Sequence, residues 1–329
     1  MPPWLAALPE LLTSGDAELV SVLKVAGSAP REPGATLAVG LTQSADTLGG
    51  GHLEWEAIAH ARARLLSGLP PPEILRFALG PGLGQCCGGV VWLLFERVAS
   101  GERAAWGQRA EALRQGATLV RTLGAGMPGS DWLLTTEGES STVLRGEIED
   151  WHWRQRYRAW RMELTLFGAG HVGQALVRVL AGSDLHIRWI DQREDAFASP
   201  LPDNVLAIVS DEPTEEVARA APGSAYLVMT HRHDLDLELA WHILRRGDVG
   251  FFGLIGSMSK RARFEHRLAA RGIPSERLAA MACPIGLPDI TAKDPASIAI
   301  AVAAQLLSWR DSAQAAGSVG WVKAATPAP

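Results

Sequence analysis

The sequence predicts an α/β protein in which an N-terminal α/β domain is followed by a C-terminal domain built on a doubly wound parallel sheet. Three observations carry this. The 329 residues are enough for two domains, each large enough to bury its own core. From Glu163 onward, short apolar strands alternate with helical stretches, the pattern of a parallel sheet wound with helices. A glycine run, Gly168-Ala-Gly170-His-Val-Gly173, stands between a strand and a helix in that half.

Hydrophobic residues make up 47% of the chain and charged ones 20%, which is globular composition rather than disordered or collagen-like. The net charge of −5 and pI near 6.0 provide no global basic field, so neither nucleic acid nor an anionic membrane is an expected partner. Three cysteines, Cys86, Cys87 and Cys283, are too few for a disulfide framework and fit a reducing compartment. The first residues lack a basic start followed by an apolar core, and no apolar run reaches 18 residues, so a cytoplasmic location is expected.

In chain order, residues 18–40 read as two strands around the turn Gly27–Gly34. Gly49-Gly50-Gly51 runs into a helix from His52 to Leu66, with acids in its first turns and bases in its last, as the helix dipole prefers. Ser67-Gly68 and Pro70-Pro71-Pro72 end it. A glycine-rich loop, residues 80–89, feeds the buried strand Val90–Phe95; a helix over 102–115 and strands near 117–123 and 131–136 follow. Charge and tryptophan crowd together over 147–161, which places the first domain at 1–150, a linker at 151–162 and the second domain at 163–312. Strands are expected at 164–167, 187–190, 205–209, 226–229 and 251–255, a last helix over 295–309, and a disordered tail over 313–329.

Four constellations could carry chemistry. Gly168, Gly170 and Gly173 have the spacing of a Rossmann-type loop, with backbone amides offered to an anion at a helix N-terminus; Asp191, ending the next strand, would accept a ribose hydroxyl. A nicotinamide-dependent oxidoreductase is the enzyme reading of that motif. The adjacent Cys86 and Cys87 lack zinc-site spacing, although a thiolate in an amide-lined turn is an available soft ligand. His231, His233 and Asp236 suggest a metal-dependent hydrolase, or more simply a helix start whose imidazoles line the crevice at the strand ends. Lys260 and its neighbouring arginines begin a helix after Gly256-Ser257 and could meet phosphate. Trp151–Arg161 interleaves aromatics with arginines, and is read as a connecting segment rather than a single-strand-binding platform.

Taken in order, these segments resemble the XdhC/CoxI family. The resemblance rests on Gly27-Ser-Ala-Pro-Arg31-Glu-Pro-Gly-Ala35, Gly49-Gly-Gly-His-Leu-Glu-Trp-Glu-Ala57, Gln85-Cys-Cys-Gly-Gly89, Phe167–Gly173, Thr230–Asp236, Phe252–Ser257 with Lys260–Phe264, and Cys283-Pro-Ile-Gly286, spread over about residues 18–307. It implies a cytoplasmic, non-enzymatic chaperone, dimeric, that binds molybdenum cofactor (molybdopterin). Such a chaperone presents the cofactor to a cysteine desulfurase for sulfuration and passes it to apo-xanthine dehydrogenase. On the same grounds Cys87 is the molybdenum-facing thiol and Cys86 the alternative, within a cofactor-binding set of Gln85, Gly88, Gly89, Gly49, Gly50, Gly51, His52, Gly168, Gly170, His171, Gly173, Asp191, His231, His233 and Lys260. The family has an acid after the first histidine of Thr-His-x-His; Arg232 stands there, which argues against a metal at that run.

Overall fold

The computed structural model describes residues 1–68, 71–79, 88–136, 141–146, 151–160 and 162–315, and its chain divides into two compact units, Met1–Ala159 and Trp160–Pro329.

The first unit opens with a helix that sequence reading did not anticipate, α1 (Pro3–Leu11). Pro3 occupies its first turn, where a missing amide costs nothing, and Trp4, Leu5, Leu8 and Leu11 form its buried stripe. Strands β1 (Ala17–Ala26), β2 (Thr36–Val39), β3 (Ser44–Ala45), β4 (Glu73–Ala78) and β5 (Val90–Val98) make an antiparallel sheet in the order β3-β2-β1-β5-β4, with helix α2 (Gly51–Leu66) inserted between β3 and β4. Val20 and Val22 of β1 pack with Leu53, Ala57 and Ala61 of α2. Residues of the other parity, Leu23 and Leu94, pack instead with Leu123 and Trp153 of a second sheet. Covered on both faces, β1 is buried without interruption from Ala17 to Leu23, its Glu18 and Ser21 included, and so shows no two-residue alternation of burial.

That second sheet follows helix α3 (Arg103–Arg114) and contains β6 (Thr118–Gly124), β7 (Asp131–Thr135), β8 (Ser141–Arg145) and β9 (His152–Arg158) in the order β7-β6-β9-β8. The expected linker at 151–162 is therefore mostly strand: β9 pairs with β6 on one side and β8 on the other. Its tryptophans belong to the core, since Trp151, Trp153, Gln155 and Tyr157 are buried while His152 and Arg154 are exposed. Between the sheets Arg121 is fully buried, bonded to Glu96 and to Ser21 Oγ at 2.9 Å, with its guanidinium over the rings of Trp132 and Trp153 at 5.1 and 4.7 Å. Trp4, Trp106, Trp132 and Tyr157 complete an aromatic cluster, with Trp106 and Trp132 edge to face at 4.6 Å. Much of the chain's excess of tryptophan is thus structural.

The second unit is a parallel sheet of β10 (Met162–Phe167), β11 (Leu185–Asp191), β12 (Val205–Val209), β13 (Ala225–Val228) and β14 (Phe251–Leu254), ordered β12-β11-β10-β13-β14. This is the doubly wound Rossmann order, and the direction of winding reverses at β10. On one face α4 (His171–Val179) and α9 (Pro295–Ala315) cover Leu166, Ile187 and Leu227; on the other, α5 (Pro213–Arg219), α6 (His233–Arg245), α7 (Met258–Ala270) and α8 (Ser275–Ala280) cover Phe167, Val228 and Phe252. Helix α9 continues to Ala315, past the expected tail boundary at 313, and the remainder of that tail lies outside the described residues.

Candidate functional site: the strand-end crevice and the glycine loops

In an open parallel sheet, ligands bind beyond the carboxyl ends of the strands where the winding reverses. Here that point is the turn from β10 into α4. Gly168 has φ +111, and a Cβ on it would lie 2.5 Å from the Met229 carbonyl oxygen, so only glycine lets the turn pass beside the end of β13. A Cβ on Gly173 would lie 2.2 Å from the Gly168 oxygen, so glycine there lets α4 sit close to its own turn. Gly170 is different: nothing lies within 4 Å of the position a Cβ would take. The backbone is open there, and His171 beside it is exposed. The three glycines thus divide into two that close the turn and one that leaves it approachable.

Asp191 ends β11, as its spacing requires, but its oxygens are engaged. Oδ2 accepts from the Ala169 amide at 2.7 Å and from Arg193 Nη2 at 3.1 Å; Oδ1 accepts from the Arg193 amide and Nε, both at 3.0 Å. Burial pushes this carboxyl up, yet the Arg193 guanidinium and the two amides prevail and hold it below the usual range. Arg193 was not anticipated; its only sequence signal is its place two residues after the strand-ending acid.

Lys260 is likewise not directed at a ligand. Its ammonium is buried, donating to Asp236 Oδ2 at 2.6 Å and to the Ile255 carbonyl at 2.9 Å. Asp236, 1% exposed, also accepts from Thr230 N at 3.2 Å and Thr230 Oγ1 at 2.6 Å. The pair ties the end of β13 to the first turns of α6 and α7, and the expected phosphate contact of Lys260 gives way to this structural bond. His231 and His233 are exposed, and Arg232 pairs with Asp234 at 2.5 Å. Among the described residues no three His, Cys, Asp or Glu side chains could hold a metal together, and Asp236 is committed to Lys260. Cys283 is buried, with burial pushing its thiol up to about 11.

In the first unit, three segments singled out in the sequence meet at one end of the antiparallel sheet. Ser28 pairs with Gly88, and the Leu79 amide donates to Gly89 O at 2.8 Å. A Cβ on Gly89 would lie 2.1 Å from Ser28 O, and one on Gly49 would lie 2.4 Å from Pro30 Cβ. Gly50 and Gly51 have φ of +74 and +70. Three amides leading into α2 are taken within the chain: Glu54 Oε2 accepts from Leu48 N at 2.7 Å and Gly50 N at 3.1 Å, as well as from Thr47 Oγ1 at 2.5 Å, and Thr47 Oγ1 accepts from Gly49 N at 2.9 Å. A carboxylate from the first turns of α2 thus lies at the positive end of its own helix, holding the segment that precedes it. His52 stacks on Trp55 at 5.5 Å at the exposed start of that helix. Gln85, Cys86 and Cys87 lie outside the described residues.

Residues 164–306 match the family model described as the XdhC Rossmann domain, and residues 12–78 match the model described as the XdhC and CoxI family. The chain belongs to the XdhC family. Its relatives include an uncharacterized protein, YqeB, from Escherichia coli strain K12, 28% identical over 157 residues that span 46% of this XdhC-family chain and 28% of that protein's length. A Bacillus subtilis protein described as a probable subunit of xanthine dehydrogenase is 24% identical over 325 residues, spanning 90% of this chain and 93% of the other. A crystal structure described as a xanthine dehydrogenase from Bacillus halodurans superposes with a TM-score of 0.77 at 22% identity, covering 97% of this chain and 98% of that one. That likeness shows the fold.

Proposed function

We propose that this XdhC-family chain acts in the maturation of xanthine dehydrogenase as a non-catalytic carrier, taking molybdopterin-type cofactor as its cargo. On this reading it presents the cargo to a cysteine desulfurase for sulfuration, delivers it to the apo-dehydrogenase, and works in the cytoplasm as a homodimer. The observation that carries the reading is the open backbone at Gly170 on a Rossmann sheet, in a family whose B. subtilis relative is described as a probable subunit of xanthine dehydrogenase. Molybdopterin has a phosphate end and a soft metal-dithiolene end. The Gly170 and His171 backbone at the N-terminus of α4 suits the first. The Cys86-Cys87 pair suits the second, a role argued from the sequence alone.

The test is co-expression with cofactor biosynthesis, followed by elemental analysis and by activation of apo-xanthine dehydrogenase. Stoichiometric molybdenum that falls at least about tenfold in Cys87→Ala, with the fold intact, is the expected result. A chain that carries no molybdenum and leaves the dehydrogenase's activation unchanged would overturn the reading. Binding of NAD(P)H with hydride transfer would replace it by the oxidoreductase alternative.

A further inference from the structure

We propose that the strand-end crevice of the second unit selects a phosphomonoester over a ribose diol, and that Arg193 is the residue that decides this. The inference rests on the carrier reading in taking the crevice as a ligand site, and deepens it by naming the chemical class the crevice recognises.

Two buried carboxylates, Asp191 and Asp236, stand at the strand ends, and a diol-binding Rossmann site uses the acid that ends its second strand, here Asp191, to accept ribose hydroxyls. An ionised carboxylate has about four acceptor positions. Asp191 has four hydrogen bonds from within the chain, from the Ala169 amide and from three Arg193 donors. A ribose would have to displace Arg193 to reach it. Asp236 is buried and held by Lys260 and Thr230. Neither acid is free to accept a hydroxyl.

Donors, by contrast, remain. Among the described residues Arg193 hydrogen-bonds to Asp191 alone, using one edge of its guanidinium, and its side chain is 49% exposed. Its remaining N–H groups have the fork geometry that suits phosphate. The guanidinium and the Ala169 amide converge on one carboxylate, which places the cation beside the turn whose next residue, Gly170, has open space on its Cβ side. His171 and His231 are exposed at the same strand ends. Other acids in this region are Glu194 and Asp195 in the following turn and Asp211 just past β12, whose carbonyl accepts from Gln192; all three are exposed, where solvent screens them.

The test uses the full chain and isothermal titration with ADP-ribose, its 2′-phosphate, and neopterin monophosphate, in wild type, Arg193→Ala and Arg193→Lys. Wild type is expected to prefer the 2′-phosphate over ADP-ribose by about tenfold or more, the worth of one charge-assisted contact. Arg193→Ala should erase or invert that ratio by freeing Asp191, and Arg193→Lys should keep part of it. A merely structural arginine would change the melting temperature and leave the ratio alone. Tight neopterin monophosphate with weak nucleotide binding assigns the phosphate to a pterin; the reverse assigns it to a nucleotide and counts against the carrier reading while leaving this inference standing. An unchanged ratio in Arg193→Ala, equal wild-type affinity for diol and phosphate, or no binding of any probe at millimolar concentration overturns it.

Discussion

At the residue scale, the glycines of the Rossmann turn show how one motif contains unlike positions. Gly168 has φ +111 and a carbonyl oxygen 2.5 Å from its would-be Cβ, whereas Gly170 has φ −74 and open space. Gly168→Ala should therefore cost about 2–4 kcal/mol from strain and collision, read by chemical denaturation. Gly170→Ala should stay within about 0.5 kcal/mol of wild type and still weaken cargo binding, because its methyl group occupies the open approach. Equal stability losses in the two variants would show that the distinction is false. The spacing of the three glycines was legible in the sequence because a tight turn and close helix packing need them at those intervals. What Asp191 bonds to was not legible, because Arg193 reaches it only once the turn after β11 has formed.

At the element scale, what links the crevice elements is a buried ion pair rather than packing alone. Lys260 in α7 and Asp236 in α6 join the ends of β13 and β14 through Thr230 and the Ile255 carbonyl. Removing one member leaves the other charge buried and uncompensated, so Lys260→Met should cost about 3–5 kcal/mol, while the double variant with Asp236→Leu should recover a large part of that. Thermal melts of the two single variants and the double variant measure this; a double variant as unstable as the sum would refute the coupling. Strand β9 teaches a related lesson. Trp151, Trp153, Gln155, Tyr157 and Ala159 are buried in strict alternation with more exposed residues, a period-two pattern present in the sequence. The crowding of arginine and tryptophan resembles a boundary by composition, and only pairing with β6 and β8 shows that the arginines are the outer face of a strand.

At the scale of the whole molecule, the buried charges of the first unit make its stability depend on pH. Glu18 on β1 is fully buried, and burial pushes its carboxyl up to about 7 against the opposing pull of Arg64, which bonds it at 3.3 Å and Glu73 at 2.8 Å. A group whose folded pKa lies above its unfolded value contributes stability that is complete below the unfolded pKa and is lost as pH rises through the folded one. For Glu18 that window runs from about 4.5 to about 7, with a span on the order of 3 kcal/mol. The melting temperature of the wild-type chain should fall across this window, and Glu18→Gln should flatten the fall. An identical slope in both would exclude Glu18 as the source.

The sequence by itself determined the α/β class, the parallel second sheet and the position of its glycine turn. These follow from hydrophobic period and from backbone conformations that only glycine adopts, both of which are local. It also carried the family, through motifs dispersed along most of the chain. The tertiary structure alone decided which charged groups remain available. Glu54 holds the Leu48 and Gly50 amides ahead of α2, Lys260 is bound to Asp236, and Arg193 covers Asp191. The reason is physical: a charge withdrawn from water must find a partner. Two of these partners, Asp236 and Lys260, are 24 residues apart in the chain and meet only when two strands lie side by side.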